Sequence, residues 1–200
     1  LLHDVGKPDM TIRREGRVHS KGHTEAGVAL VEPFLSGLGM ESYTALVVAF
    51  VREHHAPMVL HERHKKGEVV SDGAFFAIAR RIEPVTCRLL AYVTEADLRS
   101  RGPYPEEVPG LRKPELAEWY LHECELRGIA DAAPKDVIRG NDLLALGFAP
   151  GPWFGVAVRA ANVAHDLHNV SRAQILARLE SLGDALQEAT LEQMVERLCK

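Results

Sequence analysis

An all-α protein is predicted by three observations on the 200-residue chain. Apolar residues recur at intervals of three and four through most of its length, the period of a helix with one buried stripe. No run of alternating apolar and polar residues announces a sheet. Glycine and proline separate one periodic window from the next. With 46% hydrophobic and 26% charged residues the composition is that of an ordinary globular chain. Its length suffices for one sizeable core or two small helical domains sharing an interface.

The elements follow in order. Leu1-Leu2-His3-Asp4-Val5-Gly6-Lys7-Pro8 sets a His-Asp pair between apolar residues and a Gly and Pro that end a helix. The chain opens in mid-pattern without Met, so it reads as a fragment whose preceding segment is missing. A polar stretch from Asp9 to Gly22 holds Arg13-Arg14-Glu15-Gly16-Arg17 as a turn or short hairpin. From His23 the spacing is helical, with Ala26, Val28, Ala29, Leu30, Val31, Phe34 and Leu35 ending at Gly37-Leu38-Gly39, and Pro33 bending or interrupting it. A second helix runs from about Glu41 to His55; Tyr43, Leu46, Val47, Phe50 and Val51 form its stripe and His54 lies on it. Pro57 stops that helix and a basic loop, His61 to Gly67, follows.

Ser71 or Asp72 caps the next helix, which carries Phe75, Phe76, Ile78 and Ala79. Pro84 suits the first position of a further helix with Leu89, Leu90, Val93 and Ala96. There Asp97, four residues after Val93, continues the apolar stripe toward the core. Gly102-Pro103-Tyr104-Pro105 and Pro109-Gly110 mark a domain boundary, giving domains 1–102 and 103–200. Beyond it come an amphipathic helix around Leu116, Trp119, Tyr120 and Leu126, a compact element from Gly140 to Gly147, and two closing helices, around Val156 to Asn169 and Ser171 to Leu198.

Composition excludes several classes of function. A formal charge of −4 gives no global pull toward nucleic acid, so any such contact is local, as at Arg63, Lys65 and Lys66 or at Arg80 and Arg81. Three widely spaced cysteines suggest neither a disulfide framework nor a zinc cluster. No apolar run approaches the ~18 residues of a membrane span, and no signal peptide is visible. A reducing cytoplasm is the simplest setting.

The candidates for chemistry are histidines and aspartates at helix ends. Adjacent helical residues point about 100° apart, so a His-Asp pair can share one ion only where a helix stops. His3-Asp4 stands at such a stop, His23 opens a helix, His54-His55 ends one and Asp97 lies near the end of another. Side chains at facing helix ends build metal sites readily, and imidazole with carboxylate suits Mn, Fe, Ni, Co or Zn, with Mg less well matched. A buried Asp97 would be costly unless paired or metal-bound. His61, His64, His122 and His168 read as solvated or packing residues. A second pair, His165-Asp166, has no Gly-Lys-Pro after it and reads as structural.

The series His3-Asp4-Val5-Gly6-Lys7-Pro8, Gly22-His23-Thr24-Glu25-Ala26-Gly27, Val51-Arg52-Glu53-His54-His55 and Thr94-Glu95-Ala96-Asp97-Leu98-Arg99 resembles the HD-domain metal-dependent phosphohydrolases. More narrowly, it resembles the HD half of bacterial CCA-adding enzymes and related poly(A) polymerases. Gly140 to Gly147 with Pro150-Gly151-Pro152-Trp153-Phe154-Gly155 is similar to the small helical segment that follows there. The resemblance implies an HD helical bundle with a smaller C-terminal helical segment. It implies His3, Asp4 and Asp97 as ligands of a divalent ion, with His23 and a histidine of the His54-His55 pair serving a second metal or the phosphate. His54 fits the spacing better, and His55 stays open.

Lys7, with Arg52 or Arg99, would offer positive charge to the phosphate, and His23 or His54 would protonate the leaving oxygen. The implied substrates are 2′,3′-cyclic or 2′-phosphate nucleotides and RNA 3′ ends, such as those of tRNA. The family's earlier histidine and an N-terminal nucleotidyltransferase domain lie outside this sequence, and nothing in these residues can add nucleotides. Two rival readings are a helical RNA-binding scaffold with a vestigial site and an HD nucleotidase acting on free nucleotides.

Overall fold

The computed structural model describes residues 2–100 and 115–200, without the side chains of Arg17 and Asp184. Leu1 and the Gly102-Pro103-Tyr104-Pro105 and Pro109-Gly110 boundary lie outside the described residues. The protein is all-α apart from one two-stranded hairpin. Contacts divide it into two units. One holds Leu1–Val70 and Ile78–Ala133, the other Ser71–Ala77 and Pro134–Lys200. The helix around Trp119, which the sequence assigns to the C-terminal domain, therefore packs with the N-terminal unit.

The first unit begins with α1 (Lys7–Met10), the hairpin β1 (Ile12–Arg14) and β2 (Arg17–His19), and α2 (His23–Ser36). Gly6-Lys7-Pro8 opens α1 instead of ending a helix, because a proline near the first helical position gives up an N–H that has no partner there anyway. The strands pair antiparallel as Ile12 with His19, Arg13 with Val18 and Arg14 with Arg17. Their turn, Glu15-Gly16, has φ of 52° and 74°, the left-handed pair that suits a two-residue hairpin. Helix α2 buries His23, Gly27, Val31 and Leu35 at intervals of four. Pro33 does not interrupt it. Pro33 and Ala29, whose carbonyl loses its partner, are both exposed, so water can satisfy the gap.

After a short 3-10 turn at Glu41–Tyr43 come α3 (Thr44–Glu53) and α4 (Ala56–Lys65). Pro57 starts α4 where a stop was expected, again as an early helical residue. The anticipated basic loop is thus helical, and Arg63, His64 and Lys65 fall in its last turn, where cations favour the helix dipole. Helix α5 (Asp72–Arg81) straddles the two units. Helix α6 runs Cys87–Ser100 and α7 Glu115–Leu126. Pro84 is left in the connection because Thr86 caps α6, its Oγ1 accepting from Leu89 N at 3.2 Å. α6 buries Cys87, Leu90, Ala91 and Thr94, one stripe that reaches Asp97 three residues on. α2 packs on α1 and α3, and α7 on α4 and α6. A small apolar cluster of Val31, Leu35 and Val51, with Leu2 and Val5 against it, supports the first turn of the chain.

The second unit contains α8 (Gly140–Ala145), α9 (Trp153–His168), α10 (Arg172–Leu182) and α11 (Leu191–Cys199) around an apolar core that includes Ile138, Leu143, Ala160, Ile175, Leu179 and Met194. The last expected helix is two. Gly183, at φ 51°, breaks it, and Thr190 restarts it with a capping box to Gln193. Among the described residues no helix is long and apolar enough to cross a membrane.

Candidate metal centre

Four segments of the first unit bring their polar ends together. Residues 3–6 form a turn, with Val5 N donating to Leu2 O at 3.0 Å and Lys7 N to Asp4 O at 2.9 Å. That turn seats against the start of α2 through two glycines. A Cβ on Gly6 would sit 2.1 Å from His23 O and 2.5 Å from Gly27 N, so only glycine allows this approach. His23 is the first residue of α2, His54 and His55 link α3 to α4, and Asp97 lies in the last turn of α6.

Asp4 is the hub. Its Oδ1 lies 3.3 Å from His23 Nε2 and 3.6 Å from His54 Nε2. Its Oδ2 lies 3.3 Å from His3 Nε2 and accepts a hydrogen bond from Lys7 Nζ at 2.5 Å. His3 Nε2 is also 3.3 Å from Asp97 Oδ1. Across the cluster His23 Nε2 stands 3.4 Å from His54 Nε2 and 3.2 Å from His55 Nε2. Two sets of ligand atoms result, His3, Asp4 and Asp97 in one and His23, His54 and His55 in the other, each within 4.8 Å. Both histidines of the His54-His55 pair join the second set.

The tautomers decide what this arrangement can hold. His23 Nδ1 faces Ser20 O at 2.6 Å and His54 Nδ1 faces Val51 O at 2.9 Å. A carbonyl only accepts, so both Nδ1 atoms carry a proton, and in its neutral form each ring turns a bare Nε2 toward the other. Asp4 Oδ1 adds a third acceptor, and both it and His3 Nε2 are buried with no hydrogen-bond partner. Buried polar atoms left unbonded cost free energy, and a positive charge among them would remove that cost. Backbone carbonyls gripping the far nitrogen are also the usual way a metal-binding imidazole is oriented. The donor set of imidazole nitrogen and carboxylate oxygen therefore fits a divalent transition ion.

The electrostatics agree. Burial and the neighbouring His55 pull the His54 pKa down to about 4, so near pH 7 the ring is neutral and ready to ligate, and it is not a proton donor. Burial pushes the Asp4 carboxyl up, but the Lys7 hydrogen bond and the nearby His3, Lys7 and His54 outweigh it and hold it below its usual value.

The sequence-predicted residues thus divide. His3, Asp4, His23, His54 and Asp97 converge, with Lys7 bonded to Asp4. Arg52 is exposed on α3, and Arg99 is exposed and paired with Glu95 at 2.7 Å; neither contacts the cluster. His61 and His64 lie against Trp119, ring centroids 5.1 and 4.9 Å away. Sequence reading missed the two orienting carbonyls, which leave no trace in residue type. It also missed the buried Glu53, whose carboxylate takes two hydrogen bonds from Arg81 at 2.8 and 3.0 Å and pins the end of α3 beside His54. The Gly6 and Gly27 pair was visible, but Gly6 read as a helix stop. Comparison with protein-family models, with curated proteins and with solved structures returns no match.

Proposed function

We propose that this chain is a metal-dependent phosphohydrolase whose substrates are nucleotide or RNA-end phosphoesters, including 2′,3′-cyclic and 2′-phosphates. The observation that carries the reading is the convergence of His3, Asp4 and Asp97 beside His23, His54 and His55, with Asp4 Oδ1 and His3 Nε2 buried and unbonded, at the positions where the sequence resembles HD-domain phosphohydrolases. His3, Asp4 and Asp97 would hold one divalent cation. His23, His54 and His55, with Asp4 shared between the sets, would hold a second. Bound there, such ions would lower the pKa of a coordinated water and neutralise phosphoryl oxygens.

The chain's own residues supply the rest. Lys7 keeps Asp4 ionised and adds a positive charge beside the phosphate. Ser20 and Val51 fix the two imidazole tautomers. His54, neutral near pH 7, serves as a ligand; with only the first ion bound, His23, whose Nε2 lies 3.3 Å from Asp4 Oδ1, would be the proton source for the departing oxygen. Arg52 and Arg99 are exposed, and the resemblance would have them offer charge to an anionic substrate. A nucleotidyltransferase domain is the partner that the resemblance implies.

The test is hydrolysis of bis(p-nitrophenyl) phosphate with Mn²⁺, Co²⁺ or Ni²⁺, abolished by EDTA and in His3→Ala and Asp97→Ala. Parallel assays with a 2′,3′-cyclic nucleotide, a free deoxynucleoside triphosphate and an RNA 3′ end separate phosphodiesterase from nucleotidase. Absence of turnover with every ion, together with absence of calorimetric metal binding, would leave the helical scaffold reading.

A further inference from the structure

The β1–β2 hairpin is displayed, not packed. Ile12 and Val18 are 60% and 61% exposed, and all described positions from Thr11 to His19 face solvent. A two-stranded ribbon is marginal by itself in water. This one is held by its left-handed turn and by a clasp at its base, where the hydroxyls of Thr11 and Ser20 meet at 2.8 Å. The same Ser20 positions His23 through its carbonyl, and α1, which enters the hairpin, begins at Lys7. The arm therefore grows directly out of the metal centre. At roughly 3.3 Å per residue its tip lies no more than about 13 Å along the strand from Ser20.

Its charge is opposite to that of the chain. Residues 13–21 carry Arg13, Arg14, Arg17 and Lys21 against a single acid, Glu15, in a protein of net charge −4. Arg14 lies 3.8 Å from Glu15 in an exposed pair, which is worth little. Arg13 and Lys21 have no ion pair among the described residues. Strand alternation puts Arg14 on the same face as Ile12 and Arg13 on the same face as Val18, so each face offers a cation beside an aliphatic surface. Guanidinium groups suit phosphate oxygens, and the aliphatic neighbours suit the apolar surface of bases.

We infer that this hairpin grips the phosphate backbone of a nucleic-acid strand whose end lies in the metal centre. The inference rests on the phosphohydrolase reading for the class of ligand. It makes strand ends, not free mononucleotides, the preferred substrate, and it puts the contact at the hairpin and not at the basic turn of α4.

Binding of a fluorescein-labelled 12-nucleotide single-stranded RNA to the full chain, followed by anisotropy in EDTA, tests this whether or not the centre hydrolyses anything. The triple variant Arg13→Ala/Arg14→Ala/Lys21→Ala is expected to weaken binding at least tenfold and to flatten the salt dependence by about 2 log units per log unit of salt. Arg13→Lys/Arg14→Lys should retain most of the affinity. All these positions are exposed, so circular dichroism of the variants should match the parent. Unchanged RNA affinity in the triple variant overturns the inference, and so does equally strong displacement by poly-glutamate, which would make the arm a general anion binder.

Discussion

The chain contains two His-Asp dipeptides, and their fates differ completely. His3-Asp4 lies in a turn, where the two side chains converge with His23, His54 and Asp97. His165-Asp166 lies inside α9, where the helix drives them apart. His165 Nδ1 donates to Val170 O at 3.0 Å beyond the end of its own helix, and Asp166 is buried. One pair gathers imidazoles and carboxylates around it; the other is absorbed into the packing of an apolar unit. The difference teaches that a dipeptide acquires chemistry from the backbone beneath it: at about 100° per residue a helix cannot aim neighbours at one point, and a turn can.

The sharpest way to test that contrast is metal binding. Asp4→Ala, which removes the shared carboxylate, should lower Mn²⁺ or Co²⁺ affinity by about 100-fold or more in calorimetry, whereas His165→Ala should leave it within twofold. Equal losses in both would abolish the distinction. Next in size is the backbone contact beneath the first pair. Gly6→Ala places a methyl against His23 O and should cost about 3 kcal/mol in chemical denaturation, with metal affinity lost in parallel. Full stability in this variant would mean that the turn can lift off α2.

Smaller effects sharpen the picture. Arg81→Ala strands the buried Glu53 carboxylate and should cost about 2 kcal/mol, moderated because the guanidinium itself is half exposed. Acidification should weaken the first unit selectively. His54 has a folded pKa of about 4 against about 6.5 unfolded, so between these values the unfolded chain binds more protons and stability falls as pH drops. Asp4, depressed in the fold, adds a loss of the same sign at lower pH, as its carboxylate is protonated. His54→Asn should flatten the upper part of this acid limb, and an unchanged profile would place the titration elsewhere. Least of all, Arg99→Ala should change stability by no more than about 0.5 kcal/mol, because its pairing with Glu95 is solvent-exposed. A several-fold rise in KM for a phosphodiester in the same variant would identify it as a substrate contact.

Much of this was legible in the residues. The helical class followed from apolar spacing, the turn or short hairpin from the polar run Arg13-Arg14-Glu15-Gly16-Arg17, and the five converging side chains from their places at segment ends. Prolines were the systematic difficulty. Pro8, Pro57 and Pro84 all read as stops or starts on local grounds, yet Pro8 and Pro57 open helices and Pro84 opens none, because Thr86 supplies the better cap. The break at Gly183 was signalled by Thr190 and Gln193, a capping box hidden in a sequence that otherwise keeps helical spacing. The orientation of His23 and His54 could not be read at all, since it depends on main-chain oxygens that every residue possesses.

The contact between Gly6 and Gly27 has a practical consequence. Because main chain meets main chain there, the height of His3 and Asp4 over α2 is set without any side chain as a spacer. The aliphatic layer of Val31, Leu35 and Val51 supports the turn from one side through Leu2 and Val5, so exchanges there should keep its volume. A designer who wished to retune the stability of this unit could work on that layer alone, provided Gly6 and Gly27 stayed bare.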